Sequence, residues 1–199
     1  MLFRSYKNTL LNKLLLGVHS PTTTTALIEV PIDKSKADFI MINGRAMVYE
    51  IKTELDTFER LSSQLKSYYK AFPNVNVVTS EDNLSLLEKK LKNTDVGIYL
   101  LTKRKNTLKC IKTHSSNFSN LNHKTIFKIL RKPEFINILN TAVGEIPKVS
   151  DFDFYNECYK QFLKIDIIDA YNLFTRELKK RNKIRSEEHT SELQSHLNL

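Results

Sequence analysis

Asp38, Glu50, Lys52, Gln64 and Tyr68 are the residues whose types and spacing can do chemistry together. Side chains on a strand alternate faces, so Glu50 and Lys52 share one face while Tyr49 and Ile51 take the other. Two charges two residues apart, flanked by Val48, Tyr49 and Ile51, are out of place on a buried strand. They are in place on a strand whose face lines a cleft. Asp38 and Glu50 offer hard carboxylate oxygens of the kind that Mg²⁺ or Mn²⁺ takes alongside water and phosphate. Lys52 beside them could orient or deprotonate an attacking water and stabilise charge developing on a phosphorane. Gln64 and Tyr68 stand i, i+4 on one helix face and can point at the same cleft. Taken singly, each has a plainer reading. Glu-x-Lys is common by chance, Asp38 could be a turn residue, and Gln64 or Tyr68 an ordinary solvent-facing or core-edge position. Order and context carry the argument.

The context is a hairpin followed by a helix. Asp38 opens the apolar run Phe39-Ile40-Met41-Ile42, Asn43-Gly44 turns the chain, and Arg45-Ala46-Met47-Val48-Tyr49 leads back to Glu50-Ile51-Lys52. A long helical pattern carrying Gln64 and Tyr68 comes next. This order resembles the PD-(D/E)XK nuclease superfamily, and the Gln-x-x-x-Tyr spacing resembles an accessory motif of its RecB-like branch. The resemblance spans roughly residues 25–103. The chain as a whole also resembles an uncharacterised family of short, stand-alone bacterial members of that superfamily.

The resemblance implies an α/β fold: a restriction-endonuclease-like α-β-β-β-α-β core with a mixed sheet, followed by C-terminal helices. It implies a Mg²⁺- or Mn²⁺-dependent nuclease-like phosphodiesterase acting on DNA. Asp38, Glu50 and the Ile51 carbonyl would bind metal, Lys52 would serve the nucleophile, and Gln64 and Tyr68 would hold the site and the nucleic acid. Glu29, in Leu27-Ile28-Glu29-Val30, is a further candidate carboxylate. Two other readings stand beside this one: a non-catalytic module on the same fold that binds nucleic acid or protein, and an RNA-directed hydrolase. Related nucleases often dimerise, so a homodimer belongs to the expectation.

Register decides whether Asp38 and Glu50 can share a metal. Asn-Gly is the usual centre of a two-residue type I′ turn. With that loop Asp38 would face Tyr49, on the opposite face from Glu50 and Lys52. A shared site therefore requires an odd offset. It could come from a three-residue loop, Ile42-Asn43-Gly44 with Gly44 left-handed, or from a bulge before Glu50.

At 199 residues and 41% hydrophobic, the chain can build one core with a small helical appendage. No apolar run reaches the length of a membrane span. Residues 1–18 carry Leu10-Leu11 and Leu14-Leu15-Leu16, interrupted by Asn12 and Lys13 and without a cleavage site, which is an amphipathic helix and not a signal peptide. Cys110 and Cys158 stand far apart, reading as free thiols in a reducing, cytoplasmic setting and not as a zinc site. From Arg185 the sequence resembles a translated sequencing-library adapter, so residues 185–199 are set aside as an assembly artefact without a fold. They hold one Arg and three Glu, so the other 184 residues carry 30 basic and 19 acidic side chains, net +11. That balance favours phosphate-rich partners.

The remaining segments must position the site. Residues 3–16 read as an amphipathic helix packed on a sheet, and residues 26–32 as a first strand. Thr53 and Asp56 compete as caps for a helix beginning near Thr57 and ending before Pro73. Residues 75–79 and 96–101 read as buried strands joined through a helix at 84–91, a parallel crossover. Residues 107–112 suit an edge strand. Lys103, Arg104 and Lys105, and later Lys128, Arg131 and Lys132, could contact phosphates or be solvated faces. Helices are expected at 124–132, from Pro133, and twice after Asp151. This divides the chain into a nuclease-like core at 1–113, a helical region at 114–184 and the adapter-like tail. His19, His114 and His123 have no metal-ligand spacing. With only four glycines there is no Gly-rich phosphate loop, which argues against an NTP-driven mechanism.

Overall fold

In a computed structural model of the chain, residues 23–102 and 107–181 are described. The helix expected at residues 3–16, the triplet Lys103, Arg104 and Lys105, and residues 185–199 lie outside them. Six strands form one sheet in sequence order: β1 (Thr25–Ile32), β2 (Ser35–Asn43), β3 (Arg45–Lys52), β4 (Val75–Ser80), β5 (Gly97–Leu101) and β6 (Leu108–Lys112). The first three run antiparallel, β3, β4 and β5 are parallel neighbours, and β6 returns antiparallel at the far edge. Helix α1 (Leu61–Tyr69) bridges β3 to β4, and α2 (Glu81–Leu91) bridges β4 to β5. Four more helices follow among the described residues: α3 (His123–Ile129), α4 (Lys132–Ala142), α5 (Asp151–Phe162) and α6 (Ile167–Lys180). This is a mixed α/β sheet with C-terminal helices, and its β-β-β-α-β order is the order expected of a restriction-endonuclease-like core.

Alternation sorts the strand side chains onto two faces. Ile40, Ile42, Val48, Val77 and Ile98 join one core with Leu65 of α1, Leu87 of α2, Phe127 of α3, Phe135 of α4, Phe162 of α5 and Phe174 of α6. Phe39, Met41, Tyr49, Ile51, Val78 and Leu101 form a second cluster on the other face. The helical layer thus packs on the face that also carries Glu50 and Lys52.

Alternation breaks where β5 meets β6, between Ile98 and Tyr99, and again at one level of β1 and β2. Leu27 and Val30, three residues apart, both belong to the first core, so β1 changes face between them. The break falls at Glu29, whose φ of 53° is in the left-handed region. Across the register, Ala37 lies in the first core and Phe39 in the second, so β2 turns at Asp38 as well. The end of the β1–β2 hairpin therefore bends over toward α1, where the Tyr68 hydroxyl lies 3.0 Å from the Lys36 carbonyl and Lys70 pairs with Asp33 at 2.6 Å. A Glu in a left-handed conformation is uncommon and is held here by the packing on both sides.

Two expectations shift by a few residues. Helix α1 begins at Leu61, not near Thr57, because Asp56 turns back: its Oδ2 accepts from Thr53 N at 2.8 Å and Thr53 Oγ1 at 2.6 Å. That closes a single turn instead of capping a helix. The β2–β3 loop is centred on Gly44, with φ 72°, between the pairs Asn43–Arg45 and Ile42–Ala46. The offset is odd, as a shared site requires, but the loop falls one residue later than Ile42-Asn43-Gly44.

Candidate functional site

The β2–β3 register pairs Phe39 with Tyr49, and carried one residue further it sets Asp38 opposite Glu50. No backbone pair forms there. Instead the Asp38 carboxylate accepts from Ile51 N at 2.9 Å, taking the place of a backbone carbonyl where β2 turns away. Strand β3 then delivers Glu50 and Lys52 to one face. Helix α1 lays Gln64 and Tyr68, one turn apart, over them.

The four side chains close a network. Glu50 Oε1 accepts from Gln64 Nε2 at 2.6 Å and lies 3.0 Å from Lys52 Nζ. Glu50 Oε2 accepts from Tyr68 Oη at 2.6 Å. Lys52 Nζ also donates to Gln64 Oε1 at 2.9 Å, so one amide bridges both charges. Glu50 is 3% exposed and Lys52 8%, and ions that deep persist only when paired and hydrogen-bonded. The charged face expected to line a cleft is thus roofed by α1, because Gln64 and Tyr68 supply the partners that water would otherwise give.

Burial pushes the Glu50 carboxyl above the ordinary glutamate range, and the nearby Asp38 charge pushes it further; Tyr68 and Lys52 pull the other way without prevailing. Burial, reinforced by Glu50, raises the Tyr68 hydroxyl far above its usual range, which keeps it a donor. Two carboxylates that repel each other on one face suit a hard cation, which would relieve the repulsion. With the Ile51 carbonyl nearby, the donors are all oxygen, the set that Mg²⁺ or Mn²⁺ favours. Among the described residues no three His, Cys, Asp or Glu side chains come together, so a zinc-type cluster has no counterpart there.

Glu29 is not part of this network. It sits on edge strand β1 with its carboxylate 3.0 Å from Lys36 Nζ, both side chains half-exposed. One neighbour escaped the sequence reading: Thr79 pairs with Lys52 across β3 and β4, and its buried hydroxyl has no hydrogen-bond partner among the described residues. A Thr closing an apolar run gives no signal of its own; only the parallel register identifies it. His114 and His123 have structural partners, Asn76 Oδ1 at 3.0 Å and the Ile165 carbonyl at 2.8 Å.

Residues 4–196 match the family model described as bacteriophage P4 protein cII. A curated relative, protein cII of Enterobacteria phage P4, is 28% identical over 108 residues, 54% of this chain and 34% of that protein. The chain thus matches about a third of the length of that relative. Among solved structures, a Silicibacter pomeroyi protein of unknown function is similar at TM-score 0.40 and 14% identity, over 71% of this chain and 95% of that one. Pyrococcus furiosus SfsA, solved in complex with Ca²⁺, is similar at TM-score 0.35 and 11% identity, over 57% of this chain and 65% of that one.

Proposed function

The chain belongs to the bacteriophage P4 protein cII family, and we propose that this member is a divalent-metal-dependent phosphodiesterase of the PD-(D/E)XK nuclease type, acting on DNA. One observation carries the reading. Glu50, Lys52, Gln64 and Tyr68 converge in a buried network beside Asp38, in the order and on the elements that this chemistry uses.

Asp38, Glu50 and the Ile51 carbonyl would hold Mg²⁺ or Mn²⁺. Bound there, the cation supplies Lewis-acid polarisation of a phosphoryl oxygen and a water of lowered pKa. The protein's own groups do the rest. Lys52 orients the attacking water and sets positive charge against the developing phosphorane. Gln64 fixes where the ammonium points, since its Oε1 holds Lys52 while its Nε2 holds Glu50. Tyr68 fixes the second Glu50 oxygen and ties the bent β1–β2 hairpin to the same point through Lys36.

The rival reading is an interaction module without catalysis, and one observation favours it: both Glu50 oxygens already have partners within the protein. A single experiment separates the two. Purified protein is given Mg²⁺ or Mn²⁺ with labelled single- and double-stranded DNA and RNA, beside Lys52→Ala. Loss of one transition-state donor should slow cleavage by about 10²–10³ while the fold persists and DNA affinity stays within a few fold. Cleavage unchanged in Lys52→Ala overturns the assignment. A wild type that binds metal yet cuts nothing favours the module.

A further inference from the structure

A groove of about 530 Å³ runs along the outer edge of β1, between residues 26–31 and the helical layer. Lys128, Ile129, Arg131 and Arg181 form its far wall. The cations there differ in what they are free to do. The Arg181 guanidinium is committed, with Nε on Glu134 Oε1 at 2.6 Å, one terminal nitrogen on Glu134 Oε2 at 2.6 Å, and the same nitrogen on the Ile129 carbonyl at 2.9 Å. Lys132 faces away, its ammonium 4.9 Å above the Phe154 ring. Lys128 and Arg131 are exposed, and among the described residues neither side chain forms a salt bridge, although the Arg131 charge and its backbone N–H, 2.7 Å from Glu134 Oε2, help Arg181 hold the Glu134 carboxylate. The acid at the groove, Glu29, has Lys36 beside it at 3.0 Å.

We infer that this groove holds the phosphates of a nucleic-acid strand, with Lys128 and Arg131 as the phosphate ligands; the inference extends the reading of the site as a nuclease. Geometry connects the two. The pairs Ile28–Phe39 and Val30–Ala37 flank the level of Glu29 and Asp38, so the groove, Asp38 and Glu50 lie in line across three neighbouring strands. At about 4.8 Å per strand, Glu50 stands roughly 10 Å in from the edge. A strand reacting between Asp38 and Glu50 therefore reaches the groove within about three nucleotides, at about 3.4 Å of axis each.

Among the described residues β1 is an edge strand, and an edge could instead take a peptide by strand addition. Two features of β1 oppose that. Pro31 has no N–H to donate, and the left-handed Glu29 breaks the row of backbone groups that an added strand would need. Side-chain cations, not backbone pairing, are what this groove offers.

The test is fluorescence anisotropy of the full chain with labelled single- and double-stranded DNA across 50–300 mM KCl, in EDTA so that nothing is cut. In Lys128→Ala/Arg131→Ala the dissociation constant should rise about ten-fold or more. The slope of log K against log salt should shrink by about 1.4–1.8, the loss of two phosphate contacts. Lys89→Ala/Lys90→Ala, with the same change of charge on α2, should stay within about two-fold of wild type. Both Lys128 and Arg131 are exposed, so the variant should keep its melting temperature. An unchanged affinity and slope in Lys128→Ala/Arg131→Ala overturns the inference. So does a wild type that ignores DNA but binds polyglutamate through these two residues, which would make the partner an acidic protein. Because no metal is present, the result is independent of whether the protein cleaves.

Discussion

Glu50 concentrates the energetics of the site in one proton. Its folded pKa is raised above the unfolded value, so the folded state binds that proton more tightly. The linked stability is fully present below the unfolded pKa and is lost as pH rises through the folded one. The metal-free protein should therefore melt progressively lower as pH climbs from the ordinary glutamate range through the raised value. Glu50→Gln, which cannot titrate, should flatten that slope even if it melts lower throughout, since Lys52 loses its counter-ion. A divalent cation requires the ionised carboxylate, so Mg²⁺ should raise the melting temperature more at the upper end of the range than at the lower. Asp38→Asn removes one source of the upward push and one proposed metal ligand. It should move the stability loss to lower pH and abolish the Mg²⁺ effect. Melting curves across pH, with and without Mg²⁺, read all of this; a slope identical in wild type and Glu50→Gln would show that Glu50 is not the titrating group.

At the scale of elements, the strands that hold the site were legible because alternation and the Asn43-Gly44 turn are local signals. The odd hairpin offset was legible too, but only as a demand of the chemistry. The turn dipeptide alone points to a two-residue loop and the wrong face for Asp38. The bend at Glu29 and Asp38 could not be read, because nothing about a Glu in an apolar strand announces a φ of 53°. The start of α1 was misplaced for a related reason. Asp56 can cap forward or turn back, and the hydroxyl and N–H of Thr53, three residues earlier, decide it. Nor could the sequence show what Gly97 does at the head of β5. A Cβ there would stand 2.2 Å from Asn76 Oδ1 and 3.0 Å from His114 N. That amide is fully buried, meets His114 Nδ1 at 3.0 Å and reaches the Val48 carbonyl at 3.5 Å. Gly97→Ala should thus cost roughly 1–3 kcal/mol through overpacking and a displaced buried amide. Urea unfolding measures it; a change under about 0.5 kcal/mol, the usual size of a surface substitution, would mean that the seam gives way without loss.

For the molecule as a whole, the division into a nuclease-like core at 1–113 and a helical region after it is a division of sequence, not of packing. Phe127, Phe162, Phe174 and Leu178 belong to the same buried cluster as Ile40, Val48 and Val77. Thr25 Oγ1 on β1 donates to the Lys179 carbonyl at 2.8 Å, tying the first described strand to the last helix. Arg181 clamps Glu134, so the end of α6 is fixed to the start of α4. Against the upward push of burial, the Arg181 guanidinium, helped by the N–H and the charge of Arg131, holds Glu134 below the usual glutamate range. Removing the helices would expose the face of the sheet that they bury, at about 25 cal/mol for each Å² of apolar surface returned to water. A fragment of residues 1–113 should accordingly fail to give a cooperative melt and should bind a hydrophobic dye, while the full chain unfolds in one transition seen alike by near- and far-ultraviolet circular dichroism. A fragment that melts cooperatively near the temperature of the full chain would mean that the sheet has a core of its own, and that the C-terminal helices are an attachment instead of its second layer.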